Sequence, residues 1–338
     1  MLTLPEVEAG SAASQQIPNG DVVHARMEFP FTAKLYPLGF PVEVTTNSEE
    51  ILEAVTEYWG LFAPRFSTPP IRLQIGVLPG EVAECPPTPQ CRVQQDLFTF
   101  IADADHYGIA DMTRLCSSIW LKQGTLRYGG YVRSAYFDCA LMVQIATAFT
   151  TGVHSACVAW KGSGILLCGD SGAGKSTLSY ACAKAGWTYV TDDGSYLVHA
   201  LEKLTVVGNC FQVRFRPSAA SLFPEIEGRE VVQRAGIGKP SIELKSLGTT
   251  GIKYSQSAEV HHLVMLNRRG DANEGLRPYS ADVARRYLRQ GRFAPLDRMP
   301  SHYAMIDRIL ERGVYELRYR DLDWAIEQLQ ALAEGAHR

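Results

Sequence analysis

The segment Gly169-Asp-Ser-Gly-Ala-Gly-Lys-Ser176 constrains this chain more than any other. Glycines at 169, 172 and 174 let successive main-chain N–H groups converge on one point, because no Cβ intervenes. Before them, Gly164–Cys168 reads as a short apolar strand. After them, Leu178, Ala181, Cys182 and Ala185 fall on one face of a helix over Ser176–Ala185, and Gly186 stands where such a helix ends. Strand, glycine turn and helix in that order put the converging amides at a helix N-terminus, where the dipole and the orphan donors favour an anion. The spacing satisfies G-x-x-x-x-G-K-[ST] in full, so Lys175 is expected on the terminal phosphates and the Ser176 hydroxyl on Mg²⁺. Gly169, Asp170, Ser171, Gly172, Ala173, Gly174, Lys175, Ser176 and Thr177 are therefore the expected cradle for ATP with Mg²⁺.

A second apolar strand, Trp187–Thr191, ends in Asp192-Asp193. Neighbouring strand residues point to opposite sides, so the two acids should have different tasks. One can ligate Mg²⁺ and the other can accept a proton from an attacking hydroxyl. Asp-Asp-Gly is also good turn chemistry, which is the competing reading. Arg214 and Arg216 alternate on the predicted strand Phe211–Arg216, as a clamp for phosphate or as a solvated sheet edge. Arg285, Arg286, Arg289 and Arg292, with Arg268 and Arg269 upstream, make residues 268–298 basic. A helix capped by Ser280 would expose most of them, as a solvated face or a docking surface for an acidic partner.

Around this centre the chain divides into an expected tail over 1–22, an α+β region over 23–132 and a nucleotide-binding region over 133–338. In the first region, Phe40–Thr45 and Ile71–Val77 read as strands. Between them a helix capped at Asn47-Ser48 carries Ile51, Leu52, Val55, Tyr58 and Trp59 on one face. Residues 78–90 form a Pro-rich loop, 93–130 a small antiparallel sheet, and 135–150 a helix. In the second region, Ser155–Trp160 with Gly164–Cys168 and Tyr196–Ala200 with Leu204–Val207 read as hairpins. His262–Asn267 and Val314–Tyr319 add strands, and Asp321 caps a closing helix. The class is α/β with α+β character.

Composition removes several alternatives. A net charge of −3 and a pI near 6.3 exclude the basic domain of a nucleic-acid binder. The best apolar run, Ala140–Phe149, is too short to cross a bilayer and contains Gln144, so no membrane role is expected. The eight cysteines form no C-x-x-C pair, which argues against zinc. Only Cys85 and Cys91 suggest a pairing, and a reducing cytoplasm is the expected compartment.

Gly152-Val-His-Ser, the loop 169–176 and Val190-Thr-Asp-Asp193, in this order and at these intervals, resemble the catalytic core of HPr kinase/phosphorylase. Tyr315-Glu-Leu-Arg-Tyr followed by Leu322-Asp-Trp-Ala-Ile326 is similar to the tails of such proteins. The resemblance implies the phosphoenolpyruvate-carboxykinase-like P-loop architecture, with a mixed sheet. It also implies Asp192 as general base for a serine hydroxyl, Asp193 as a metal ligand, His154 beside the phosphoryl site just ahead of its strand, and a tendency to form homo-oligomers. The chain departs from the family at Thr177, where a Glu is usual. It departs again at Phe211–Pro217, where an Arg-Gly-rich stretch with a metal-site Glu is missing. These departures imply a relative acting on other seryl groups. The expected activity is ATP-dependent phosphorylation of a serine hydroxyl of a protein or peptide. A small-molecule kinase, for free serine for example, and a non-catalytic nucleotide switch are the alternatives.

Overall fold

The computed structural model describes residues 3–5, 27–232, 240–245, 251–268 and 273–335. Most of the expected tail 1–22, and Arg269, lie outside the described residues.

The first region builds one sheet of seven strands in the order β1-β2-β3-β7-β6-β5-β4. These are β1 (Phe31–Leu35), β2 (Val42–Thr46), β3 (Ile71–Leu78), β4 (Gln90–Gln94), β5 (Leu97–Ile101), β6 (Tyr107–Asp111) and β7 (Cys116–Lys122). Strands β2 and β3 run parallel, so a crossover must join them, and α1 (Glu49–Trp59) supplies it. Ser48 caps α1 by accepting from the Ile51 N–H, and Ile51, Val55 and Trp59 are its buried stripe. The antiparallel sheet expected over 93–130 is the far half of this larger sheet, because β7 also pairs in parallel with β3. Parallel pairing across so many residues leaves no local signal.

A helical turn at Gly129–Val132 and a π-helical segment at Arg133–Phe137 lead into α2 (Asp138–Ala148). Tyr136, Ala140, Leu141 and Ile145 are fully buried against Val42, Ile71 and Ile75 of the first sheet. The same core takes in Val198 and Val207 from beyond the glycine loop, so α2 bridges the two regions.

The second sheet is mixed. Strands β8 (Thr150–Trp160) and β9 (Ser163–Cys168) form the expected hairpin. Lys161 (φ 47°) and Gly162 (φ 89°) take the left-handed conformations that a two-residue turn demands. The glycine loop follows β9 and opens α3 (Lys175–Lys184). Strands β10 (Thr188–Thr191) and β11 (Gly194–Val198) run along the same edge of β8, with a register shift between Tyr189 and Thr191 and a break at Asp192-Asp193. Next comes β12 (Thr205–Val207), paired with β11. The separate three-stranded sheet holds β13 (Gln212–Phe215), β14 (Val231–Val232) and β15 (Ser241–Lys245), with β15 in the middle. The remaining strands are β16 (Lys253–Tyr254), β17 (Ser257–Asn267), β18 (Gly275–Pro278) and β19 (Val314–Arg318). The remaining helices are α4 (Ala281–Arg289), α5 (Met299–Leu310) and α6 (Leu322–Ala333). Strand β17 is parallel to both β9 and β19.

Strand β9 shows why its sequence is continuously apolar. Ile165 and Leu167 face α3 and α6, against Leu178, Cys182 and Leu329. Leu166 and Cys168 face the opposite side, against Ala284 and Ile306 of α4 and α5. A strand buried on both faces cannot alternate, and such a strand anchors the loop rigidly. The molecule is thus an α/β protein with mixed sheets.

Two sequence expectations change. All eight cysteines are free, and the thiol that meets Cys91 is Cys139 on α2, not Cys85. Three of the four arginines in and just after α4 are tied down within the fold rather than spread on a solvated face. Arg285 and Arg289 pair with Asp307, and Arg292 donates to the carbonyls of Gly152 (2.8 Å) and Leu288 (3.0 Å). Arg286 alone of the four is exposed. Among the described residues, no helix is long and apolar enough to cross a membrane.

Candidate functional site

At Gly169 and Gly174 the glycine loop is held by groups that leave no room for a side chain. Gly174 has φ 94°, and a Cβ placed there would lie 2.6 Å from the Tyr319 hydroxyl at the end of β19. Both conditions exclude other residues. Lys175 is buried inside the loop, where its Nζ donates to the carbonyls of Gly169 (2.7 Å) and Asp170 (3.3 Å). Burial lowers its pKa, and the surrounding carboxylates, Asp193 foremost, act against that shift. The hydroxyl of Ser176, in the first turn of α3, hydrogen-bonds Asp192.

Asp192 and Asp193 occupy a bend between β10 and β11, in keeping with the turn reading, and they differ sharply in their surroundings. Asp192 is only 5% exposed. Its Oδ1 accepts from the Tyr189 hydroxyl (3.1 Å) and its Oδ2 from the Arg214 N–H (3.0 Å). Burial raises its pKa, the neighbouring Asp193 charge adds to this, and the hydrogen bonds from Arg214 and Ser176 only partly offset it. A carboxylate shifted upward is a stronger base than an ordinary one. Asp193 has a side chain 55% exposed and meets His154 Nδ1 at 3.1 Å. That hydrogen bond lowers its pKa. His154 lies within β8 rather than ahead of it, and its register partner is Gly194, which sets its ring beside Asp193.

Asp192 separates two cavities. The wide one, about 980 Å³, is lined by Lys175, Ser176, Asp193, Arg214, Arg216 and Arg268 among others. It is open, and Arg216 reaches across its mouth to the Ser171 hydroxyl (3.0 Å). The narrow one, about 190 Å³, lies between the two regions and is lined by Tyr58, Asp138, Met142, Asp193, Gln212 and Arg214 among others. Asp192 lines both. Arg214 is half-buried, and its Nε lies 3.3 Å from Glu243 Oε1.

The structure brings His154, Asp192, Asp193, Arg214, Arg216 and the loop residues 171, 172 and 174–177 together around the wide cavity, while Gly169, Asp170 and Ala173 line a separate cavity against β17 and Tyr287. It adds some that the sequence did not assign to this site. Arg268 stacks over the Tyr319 ring at 5.4 Å and joins the wide cavity. The signal lay in pairing. Because β17 runs parallel to β9, with Met265 beside Cys168, the residues after β17 emerge next to the glycine loop. Sites gather at such carboxyl ends. Tyr58, Asp138 and Gln212 had no legible signal, since they reach the narrow cavity from three separate elements.

No family model and no curated protein matches this chain. Among solved structures, the HPr(Ser) kinase/phosphatase from Coxiella burnetii aligns at 17% identity over 55% of this chain and 96% of its own length, with a TM-score of 0.30. A likeness at that score carries no argument about activity, which therefore rests on the residues themselves.

Proposed function

We propose that this chain is an ATP-dependent phosphotransferase that transfers the γ-phosphoryl group to an alcohol, with Asp192 as general base. The observation that carries the reading is a buried carboxylate, hydrogen-bonded to Tyr189 and to the Arg214 N–H, that lines two cavities at once, one of them walled by the glycine loop. The loop amides and Lys175 would grip the β- and γ-phosphates. Arg216 and Arg268 stand at the mouth and wall of the same cavity, where developing negative charge needs donors.

Among the described residues no group of three or more His, Cys, Asp and Glu side chains is placed to hold a metal alone. Mg²⁺ in phosphoryl-transfer sites takes one or two protein ligands and completes its shell with phosphate and water, so the Ser176 hydroxyl and the exposed Asp193 carboxylate fit that requirement. When bound, the ion would neutralise charge on the β- and γ-oxygens. His154, paired with Asp193, would hold that carboxylate in place. The acceptor's O–H would lie against Asp192, which takes the proton as the new O–P bond forms and ADP leaves. The acceptor in this reading is a seryl-type hydroxyl.

Asp192→Asn tests the assignment. It should lower the turnover number by about 10²–10⁴, the usual contribution of a general base, while ATP still binds. Transfer at the wild-type rate, measured with γ-labelled ATP, would remove Asp192 from the role.

A further inference from the structure

We infer that the narrow cavity is the acceptor site, and that it takes a small free hydroxy amino acid rather than a seryl side chain of a folded protein. The inference rests on the phosphotransferase reading above and names its substrate class.

Size is the first argument. At about 190 Å³ the cavity lies below the roughly 300–1,000 Å³ of sites for drug-sized ligands. Its walls are buried or half-buried residues of both regions: Leu38, Trp59 and Phe62 from the first, Thr191 and Gln212 from the second. Leu38, Trp59 and Phe62 belong to the core that joins the two regions, so the cavity has little room to widen for a protein segment.

Chemistry is the second argument. Gln212 is 9% exposed, and its Nε2 is buried without a hydrogen-bond partner among the described residues. A buried donor left unmade costs about 1–3 kcal/mol, so the position calls for an acceptor that the protein does not itself provide. Its backbone is fixed, because the Gln212 carbonyl accepts from the Tyr189 hydroxyl at 2.9 Å, the same hydroxyl that touches Asp192. Arg214 follows two residues later on β13, so both side chains stand on one face, about 6.6 Å apart along the strand. The Arg214 Nε faces Glu243 at 3.3 Å, so a carboxylate would take its other guanidinium N–H groups together with the Gln212 amide. On α2, Asp138 Oδ1 accepts from the Tyr58 hydroxyl at 3.0 Å, and its carboxylate lines the same cavity. That carboxylate, which also meets the Arg214 charge, is the acidic group of the cavity's α2 side and suits an ammonium group. Asp192 supplies the base. Alcohol, carboxylate and ammonium on a three- or four-carbon frame match these positions. The β-hydroxyl oxygen would bond to the γ-phosphorus of ATP, its proton would pass to Asp192, and the bond from the γ-phosphorus to the bridging oxygen would break with its electron pair leaving on ADP. The products are a phospho-amino acid and ADP.

The test uses the full chain with ATP and Mg²⁺, and compares L-serine and L-threonine with glycerol and a serine-containing peptide, with products read by mass spectrometry. Saturable formation of phosphoserine or phosphothreonine, with glycerol untouched, is the expected result. In addition, Gln212→Met should raise KM for the amino acid at least tenfold with a smaller change in kcat, and Met142→Trp, which fills the cavity from α2, should do the same. Nucleotide titration of each variant reports whether it is folded. Phosphorylation of the peptide with none of the free amino acids, or wild-type KM in both folded variants, overturns the acceptor assignment and leaves the phosphotransferase reading standing. Absence of nucleotide binding in the wild-type chain would take down both.

Discussion

The two cavities on either side of Asp192 are built by different means. The wide one is made of main chain: glycine conformations, a helix N-terminus and a lysine folded back on carbonyls within its own loop. The contacts of that phosphate-facing floor are local, the loop and α3 spanning consecutive residues, while Asp193, Arg214, Arg216 and Arg268 reach its walls from elsewhere in the chain. The narrow one is made of side chains drawn from α1, α2 and β13, which are far apart in the chain and meet only through tertiary packing. A nucleotide's phosphates are the same in every site, so main-chain donors suffice for them. An acceptor has to be distinguished from its analogues, and that requires individually placed side chains.

Three experiments would break or sharpen this contrast. The largest effect should come from Gly174→Ala. A Cβ 2.6 Å from the Tyr319 hydroxyl, at φ 94°, distorts the loop. Nucleotide affinity should fall tenfold or more, with roughly 1–3 kcal/mol of stability lost to left-handed strain. Acceptor KM should move far less, and equal losses on both sides would show that the cavities are not separable.

The pH profile comes next. Asp192 has a raised pKa, so its proton leaves later than from an ordinary carboxyl as pH rises. Activity, which needs the ionised form, should therefore fall as pH drops through that raised value, above the usual carboxylate range. For stability the sign is opposite: the folded state holds this proton more tightly than the unfolded chain, so the contribution is present at low pH and is lost as pH rises through the raised value. Asp193, whose charge helps raise Asp192, lies on the lower side of its own ordinary value because of His154. Asp193→Asn should thus move the acid limb of kcat to lower pH. A limb that stays fixed would mean another group sets it.

The smallest effect should be that of Arg216→Ser. Arg216 is exposed and touches the loop only through the Ser171 hydroxyl at 3.0 Å. A change of about threefold in nucleotide affinity, weakening as salt is added, is expected from a solvent-screened contact. A hundredfold loss, read by nucleotide titration, would make Arg216 part of the gripping machinery.

The different surroundings of Asp192 and Asp193 were legible in outline, although the pair sits in a bend between two strands and so also fits the turn that Asp-Asp-Gly suggests. The hairpin turn at Lys161-Gly162 was legible because it is local, and so were the caps at Ser48, Ser280 and Asp321, which serve their own helices. The joining of β4–β7 to β1–β3 in one sheet was not. It depends on the parallel pairing of β3 with β7, which no turn announces. The arginines of α4 misled for a related reason: charge in a helix reads as solvated until an acid elsewhere, here Asp307 on α5, takes it up.

The sequence by itself determined the phosphate loop, the strand that anchors it and the helix that follows, because these depend on glycine conformation, backbone donors and hydrophobic period over a few consecutive residues. Only the tertiary structure decided what stands across from that loop. The arrival of Arg268 beside it, the burial that makes Asp192 basic, and the small chamber where Gln212, Arg214 and Asp138 converge all depend on long-range pairing and packing, whose partners a linear chain does not specify one residue at a time.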